Sequence, residues 1–145
     1  LIANLEGEAA SRWAELAADR RELAGRVVES LLHLIATVSP GAKRGSTAPF
    51  EWAKFMLVEA GDWQPRSLAG AFQNAMPSNT PQLRMAAVQR LAREVAAMDA
   101  AYGAPQARRC LSVDAIDLSG APRLSLTELG AWVRESIGAA QAVEA

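Results

Sequence analysis

The sequence is short of the groups that most catalysts and secreted scaffolds need. Its 145 residues include one cysteine, Cys110, and one histidine, His33. A single thiol cannot close an internal disulfide, which fits a reducing cytosol and predicts a cytoplasmic protein. One Cys and one His leave only scattered carboxylates for a metal, so neither a metal site nor a cofactor is expected. No Walker or dinucleotide glycine motif is present. No apolar run approaches eighteen residues, and no charged start leads into a signal-like apolar stretch, so no membrane partner and no secretory leader are expected. Fifteen Lys and Arg stand against sixteen Asp and Glu, a net charge of −1. That excludes nucleic-acid binding by bulk positive charge, and it excludes a polyacidic tail.

What is present is a helix-leaning globular composition. Half of the residues are hydrophobic, with much of that alanine, and 21% are charged, which rules out wholesale disorder. A chain this long buries roughly 68–70% of its unfolded surface as a single domain. Leu1-Ile2-Ala3-Asn4 reads like the end of a strand that begins earlier, so a piece of a longer protein is expected.

Along the chain, Leu5, Trp13 and Leu16 mark a short, weakly amphipathic helix over 5–18. A clearer helix follows, with Asp19 as cap and Glu22 in a capping-box position. Leu23, Val27, Leu31, Leu34, Ile35 and Val38 form its apolar face, and Ser39-Pro40-Gly41 ends it. Residues 41–53 read as a loop. Phe55-Met56-Leu57-Val58, bounded by Gly61-Asp62, reads as a largely buried strand. Ser67 caps a short helix from Leu68 to about Ala75, broken by Met76-Pro77. Thr80-Pro81 starts the longest helix with Pro at its first position, and Gly103 closes it. Cys110–Val113 is a second candidate strand. Ser125-Leu126-Thr127-Glu128 is a capping box opening a helix that buries Leu129, Trp132, Val133 and Ile137. The fold class is therefore α+β and helix-rich, with no internal repeat and too few strands for a complete sheet.

Catalysis is poorly provided for. His33 sits inside an apolar helix and reads as structural. Cys110 follows Arg108-Arg109 but has no histidine to activate it, and reads as a buried strand cysteine. Asp114 and Asp117 lie near a Gly/Pro turn and read as solvated rather than as paired acid and base. A non-enzyme is expected. The informative stretch is Pro40-Gly41-Ala42-Lys43-Arg44-Gly45-Ser46-Thr47. Its glycines admit a ligand to the backbone, its amides and the hydroxyls of Ser46 and Thr47 can donate to phosphate oxygens, and Lys43 and Arg44 supply charge. An ordinary basic surface loop is the competing reading. Residues 40–109 carry nine bases against five acids, while both flanks are net acidic. Arg84, Arg90 and Arg93 can extend a phosphate-tracking surface, and Trp52 and Trp63 can stack on bases. A solvated helix face and ordinary packing are the plainer explanations.

These residues also carry a family resemblance. Leu31–Val38, Pro40-Gly41-Ala42-Lys43, Phe55–Val58, Pro65-Arg66-Ser67-Leu68-Ala69-Gly70-Ala71-Phe72 and the ending Leu124–Leu129 through Trp132-Val133-Arg134 resemble, in that order, the C-terminal portion of the CasC family. CasC proteins are the repeated backbone subunits of Cascade, the type I-E CRISPR surveillance complex. The resemblance implies a partial ferredoxin-like palm of the RNA-recognition-motif kind over 1–76, with a C-terminal helical extension over 77–145 packed on it. It implies a non-catalytic scaffold for antiviral defence that holds guide RNA by its backbone without reading sequence. Gly41, Ala42 and Lys43 match the family turn that lies against the guide RNA, with Arg44, Ser46 and Thr47 beside it. The implied partners are guide RNA (crRNA), copies of the same subunit, other Cascade subunits and, indirectly, target DNA. Arg44 replaces the more usual Gln, and Gly70 and Gln73 depart from the family's Asn and Glu. A helical protein-interaction module without nucleic acid is the alternative reading of the residues.

Overall fold

The computed structural model describes residues 18–38, 51–61, 64–104, 107–116 and 118–138. The expected helix over 5–18, the strand-like start and the loop to residue 50 lie outside the described residues, as does the side chain of Asp19. The described elements are α1 (Ala18–Thr37), β1 (Phe55–Ala60), a short 3₁₀ helix (Ala69–Phe72), α2 (Leu83–Tyr102), β2 (Ala107–Ser112) and α3 (Leu126–Gly138). This is the helix-rich α+β architecture the composition and periodicity imply.

β1 and β2 pair antiparallel, Phe55 opposite Ser112 and Ala60 opposite Ala107. The sheet thus joins a strand from 1–76 to one from 77–145. Because side chains alternate along a strand, the ribbon feeds two cores. Met56, Val58 and Leu111 pack with the buried Leu32 of α1 and with Leu129 and Val133 of α3. Phe55 and Leu57 pack on the other face with Cys110, Leu118, Ala121 and Ala92 of α2. A ribbon of two strands is marginal in water unless covered, and here helices cover both sides. The outer edge of β2 is closed as well: Cys110 N–H donates to Pro122 O at 3.1 Å, and Leu124 N–H donates to Cys110 O at 2.8 Å.

Three helix ends show how local chemistry sets the boundaries. The capping box at α3 forms as expected. The Ser125 amide and hydroxyl donate to Glu128 Oε2 at 2.8 and 2.7 Å, and the Glu128 amide donates back to Ser125 Oγ at 3.3 Å. α2 begins at Leu83 rather than at Pro81. A turn closed by the Thr80 amide and hydroxyl on Pro77 O takes up residues 77–80, and Gln82 caps the helix in a left-handed conformation, φ 49°. The expected helix over 68–75 shrinks to one 3₁₀ turn, since the stretch between Ser67 and Met76-Pro77 is too short for α-helical bonds to accumulate.

α1 differs most from expectation. Its apolar face does not pack as a unit, because the stripe is broader than any one neighbour covers. Ala24, Leu32 and Ala36 are buried, whereas Leu23 and Val27 are 60% and 57% exposed and Leu34, Ile35 and Val38 are exposed with them. α1 instead crosses α3 through small residues. A Cβ on Gly25 would lie 2.9 Å from Arg134 Cγ and 3.0 Å from its carbonyl oxygen, and one on Gly130 would lie 3.0 Å from His33 Nε2. His33 is therefore a packing residue at a helix crossing. Since backbone cannot yield without separating the helices, Gly25→Ala is expected to cost about 1–3 kcal/mol, read as a lower urea midpoint with an unchanged slope.

Candidate nucleic-acid interface

The residues expected to touch RNA, Gly41, Ala42, Lys43, Arg44, Ser46 and Thr47, lie outside the described residues. Their two stems do not. Val38 N–H continues the helical ladder to Leu34 O at 2.8 Å, and Ala53 N–H donates to Ala36 O at 2.8 Å. The loop thus leaves from and returns to the C-terminal end of α1, where that helix meets the start of β1.

The same end of the sheet collects charge. Val113 N–H donates to Lys54 O at 3.1 Å, continuing the β1–β2 ladder by one rung. Arg84, at the start of α2, grips Asp114 with two bonds of 2.6 and 2.7 Å. Arg123 donates to the Asp114 carbonyl at 3.1 Å, and the Lys54 ammonium stands 3.6 Å from Glu51. Among these described residues, three bases stand against two acids. Hydrogen bonding from Arg84 holds the Asp114 carboxyl below its ordinary range, and Asp114 in turn raises the guanidinium. Trp52, two residues before Lys54, is 64% exposed.

The three helix arginines do not form one track. Arg84 is committed to Asp114, Arg90 donates to Asn74 O at 2.9 Å, and Arg93 alone is exposed with no partner among the described residues. At 100° per residue Arg90 and Arg93 share a face, and Arg84 points away from it. Lys54 and Arg123 were not singled out by the sequence. Arg123 reaches this end by donating to the Asp114 carbonyl, nine residues earlier in the chain.

The opposite end of the sheet holds a closed quartet. Arg66 donates to both oxygens of Glu59 at 3.0 and 2.8 Å and to Asp99 at 2.7 Å. Arg108, 4% exposed, donates to Asp99 at 2.8 Å and stands 3.2 Å from Glu59. Two acids and two bases cancel, so the group is a structural clamp rather than a ligand site. Cys110 beside it is fully buried, its thiol directed at Ala121 O and its pKa pushed up by burial, so it is no nucleophile. Among the described residues no group of three His, Cys, Asp or Glu can hold a metal, and no helix is long and apolar enough to cross a membrane.

Two outcomes follow from the clamp. Arg108→Met leaves two carboxylates sharing one base in a half-buried site, and is expected to cost about 3 kcal/mol by denaturant titration. The bonds from Arg108, and after them those from Arg66, hold the Asp99 carboxyl below its ordinary value. A depressed carboxyl stabilises fully above the unfolded-state value of about 3.9 and stops doing so as pH falls through the folded value. Asp99→Asn should therefore be less stable at neutral pH, and its stability should fall less than the wild type's between about pH 5 and pH 2.

A family model described as CT1975-like protein, a CRISPR-associated family, matches residues 1–133. No curated protein matches the chain. The match spans most of the sequence, and the chain belongs to the CT1975-like family. Its role is CRISPR-associated, and the family acts within CRISPR-associated complexes.

Proposed function

We propose that this member of the CT1975-like family is a non-catalytic scaffold that holds the backbone of a guide RNA, as a backbone subunit of a Cascade complex of the type I-E kind. Family membership carries the reading. The chemistry of the Gly41–Thr47 loop agrees with it, and so do the bases among the described residues at the sheet end from which the loop departs. Gly41 and Ala42 admit the strand to the backbone, Lys43 and Arg44 meet phosphates, and Ser46 and Thr47 donate through hydroxyls. Contacts of this type fix a strand in place and leave its bases free to pair with target DNA. α1 and β1 would then belong to a partial ferredoxin-like palm over 1–76, with the segment 77–145 as an extension packed on it. Copies of the subunit and other Cascade proteins would be its neighbours, in the cytoplasm.

The test is binding of unrelated single-stranded RNAs by the full-length protein over about 50–300 mM salt. Affinity should fall steeply with salt and differ little among sequences. Replacing Lys43 and Arg44 together by Ala should reduce the slope of log affinity against log salt by about 1.4, two phosphates at about 0.7 each for a single strand. An unchanged affinity and slope would remove the loop from the site.

A second reading, a protein-interaction module without nucleic acid, is favoured by one observation. The exposed stripe of α1 lines a shallow groove of about 450 Å³ with Leu23, Val27, Leu31 and Leu34. Binding through that face would be nearly independent of salt, which separates the two readings in the same titration.

A further inference from the structure

Trp52 is left unused by everything described so far, although it directly precedes Ala53, whose amide bonds the C-terminal end of α1. Its indole stands mostly in water, while the backbone just after it is held in place. The next residue, Ala53, donates to Ala36 O at 2.8 Å, and Lys54 accepts from Val113 at 3.1 Å. The side chain is therefore displayed from a rigid frame rather than from a floppy segment. Around that frame lie Lys54 and, tied to the same rung through Asp114, Arg84 and Arg123.

An exposed aromatic side chain beside a rung that carries cations suits one ligand class especially well. A nucleobase offers a flat π-surface to stack on the indole, and the phosphates on either side of it meet the cations. A purely apolar protein partner would gain nothing from the bases tied to the neighbouring rung.

We propose that Trp52 is a stacking platform for one base of bound single-stranded RNA, with Lys54 and Arg123 meeting the adjoining phosphates. The inference rests on the RNA reading above and adds to it a contact that stacks on any base. Stacking is indifferent to sequence, since every base has a π-face, so it is compatible with a scaffold that does not read sequence.

The experiment compares wild type, Trp52→Ala and Trp52→Phe in the full-length protein, using a mixed-sequence single-stranded RNA oligonucleotide and a matched RNA duplex. Trp52→Ala is expected to weaken single-strand binding about 5- to 150-fold, the equivalent of one stacked base, with the salt slope unchanged. Trp52→Phe should retain most of the affinity, and duplex binding should not respond, because paired bases are not available to stack. The thermal midpoint should stay put, since the side chain is exposed. If Trp52→Ala binds single strands like wild type while the Lys43, Arg44 double variant is impaired, the platform is overturned and the RNA reading stands. If wild type fails to bind RNA at low salt, both fall. A loss in Trp52→Ala that Phe does not restore, or that appears equally on duplex, also overturns stacking.

Discussion

A ribbon of two antiparallel strands has almost no stability of its own in water, and the whole arrangement depends on how β1 and β2 are covered. The solution uses the alternation of side chains. Even-numbered positions of β1 enter the core with α1 and α3, and odd-numbered positions enter the core with α2. A slip of one residue would exchange the two sets and drive the charge of Glu59 and Arg108 into the α1–α3 side. Register and packing are thus a single constraint. The start of β1 inherits it, because Lys54 is placed by the first rung of the same ladder and Ala53 by a bond to α1.

The ionic quartet reinforces that register. Glu59 and Arg108 are cross-strand partners, and both also reach groups outside the sheet: Arg66 in the following segment and Asp99 on α2. Taking such groups out of water costs energy, and their mutual attraction offsets that cost only when the geometry satisfies all four. A slipped register or a shifted α2 would leave at least one charge without its partner. The quartet therefore favours one arrangement over near alternatives more than it adds net stability. It also uses up two of the nine bases of the central stretch. Among the described residues, Lys54, Arg84 and Arg123 fall at the other end of the sheet.

How much of this was legible in the sequence follows from range. The α3 cap could be read because Ser125 and Glu128 sit three residues apart and satisfy each other. The β1 run and the buried state of Cys110 could be read from composition over a few residues. β2 was read short at its N-terminal end, since Arg108-Arg109 does not look like strand interior. Arg108 is buried only because Asp99 and Glu59 receive it, and the Arg109 guanidinium stacks 5.2 Å from the Trp132 ring centroid. Arg84 looked like a phosphate-tracking residue because its true partner, Asp114, lies thirty positions away. For α1, periodicity identified apolar positions correctly but could not say which of them a neighbour would cover. The glycines that bring α3 close, Gly25 and Gly130, decide that, and no hydrophobic pattern records them.

The same ladder shows where the described fold stops being closed. Lys54 and Val113 form a bonded pair, so by alternation the amides and carbonyls of Phe55, Leu57 and Glu59 point to the outer edge of β1. Their counterpart on β2, Cys110, meets the strand-like stretch 122–124, whereas no bond among the described residues reaches the outer edge of β1. The open stripe of α1 belongs to the element just before that edge. An unpaired ladder and an uncovered apolar helix face are both costly in isolation, and proteins generally cover such surfaces with further chain or with partners. The stripe runs to the C-terminal end of α1, where Ala36 O accepts from Ala53 beside the charged end of the sheet. An apolar helix stripe, an open strand edge and a basic sheet end thus meet in one small fold.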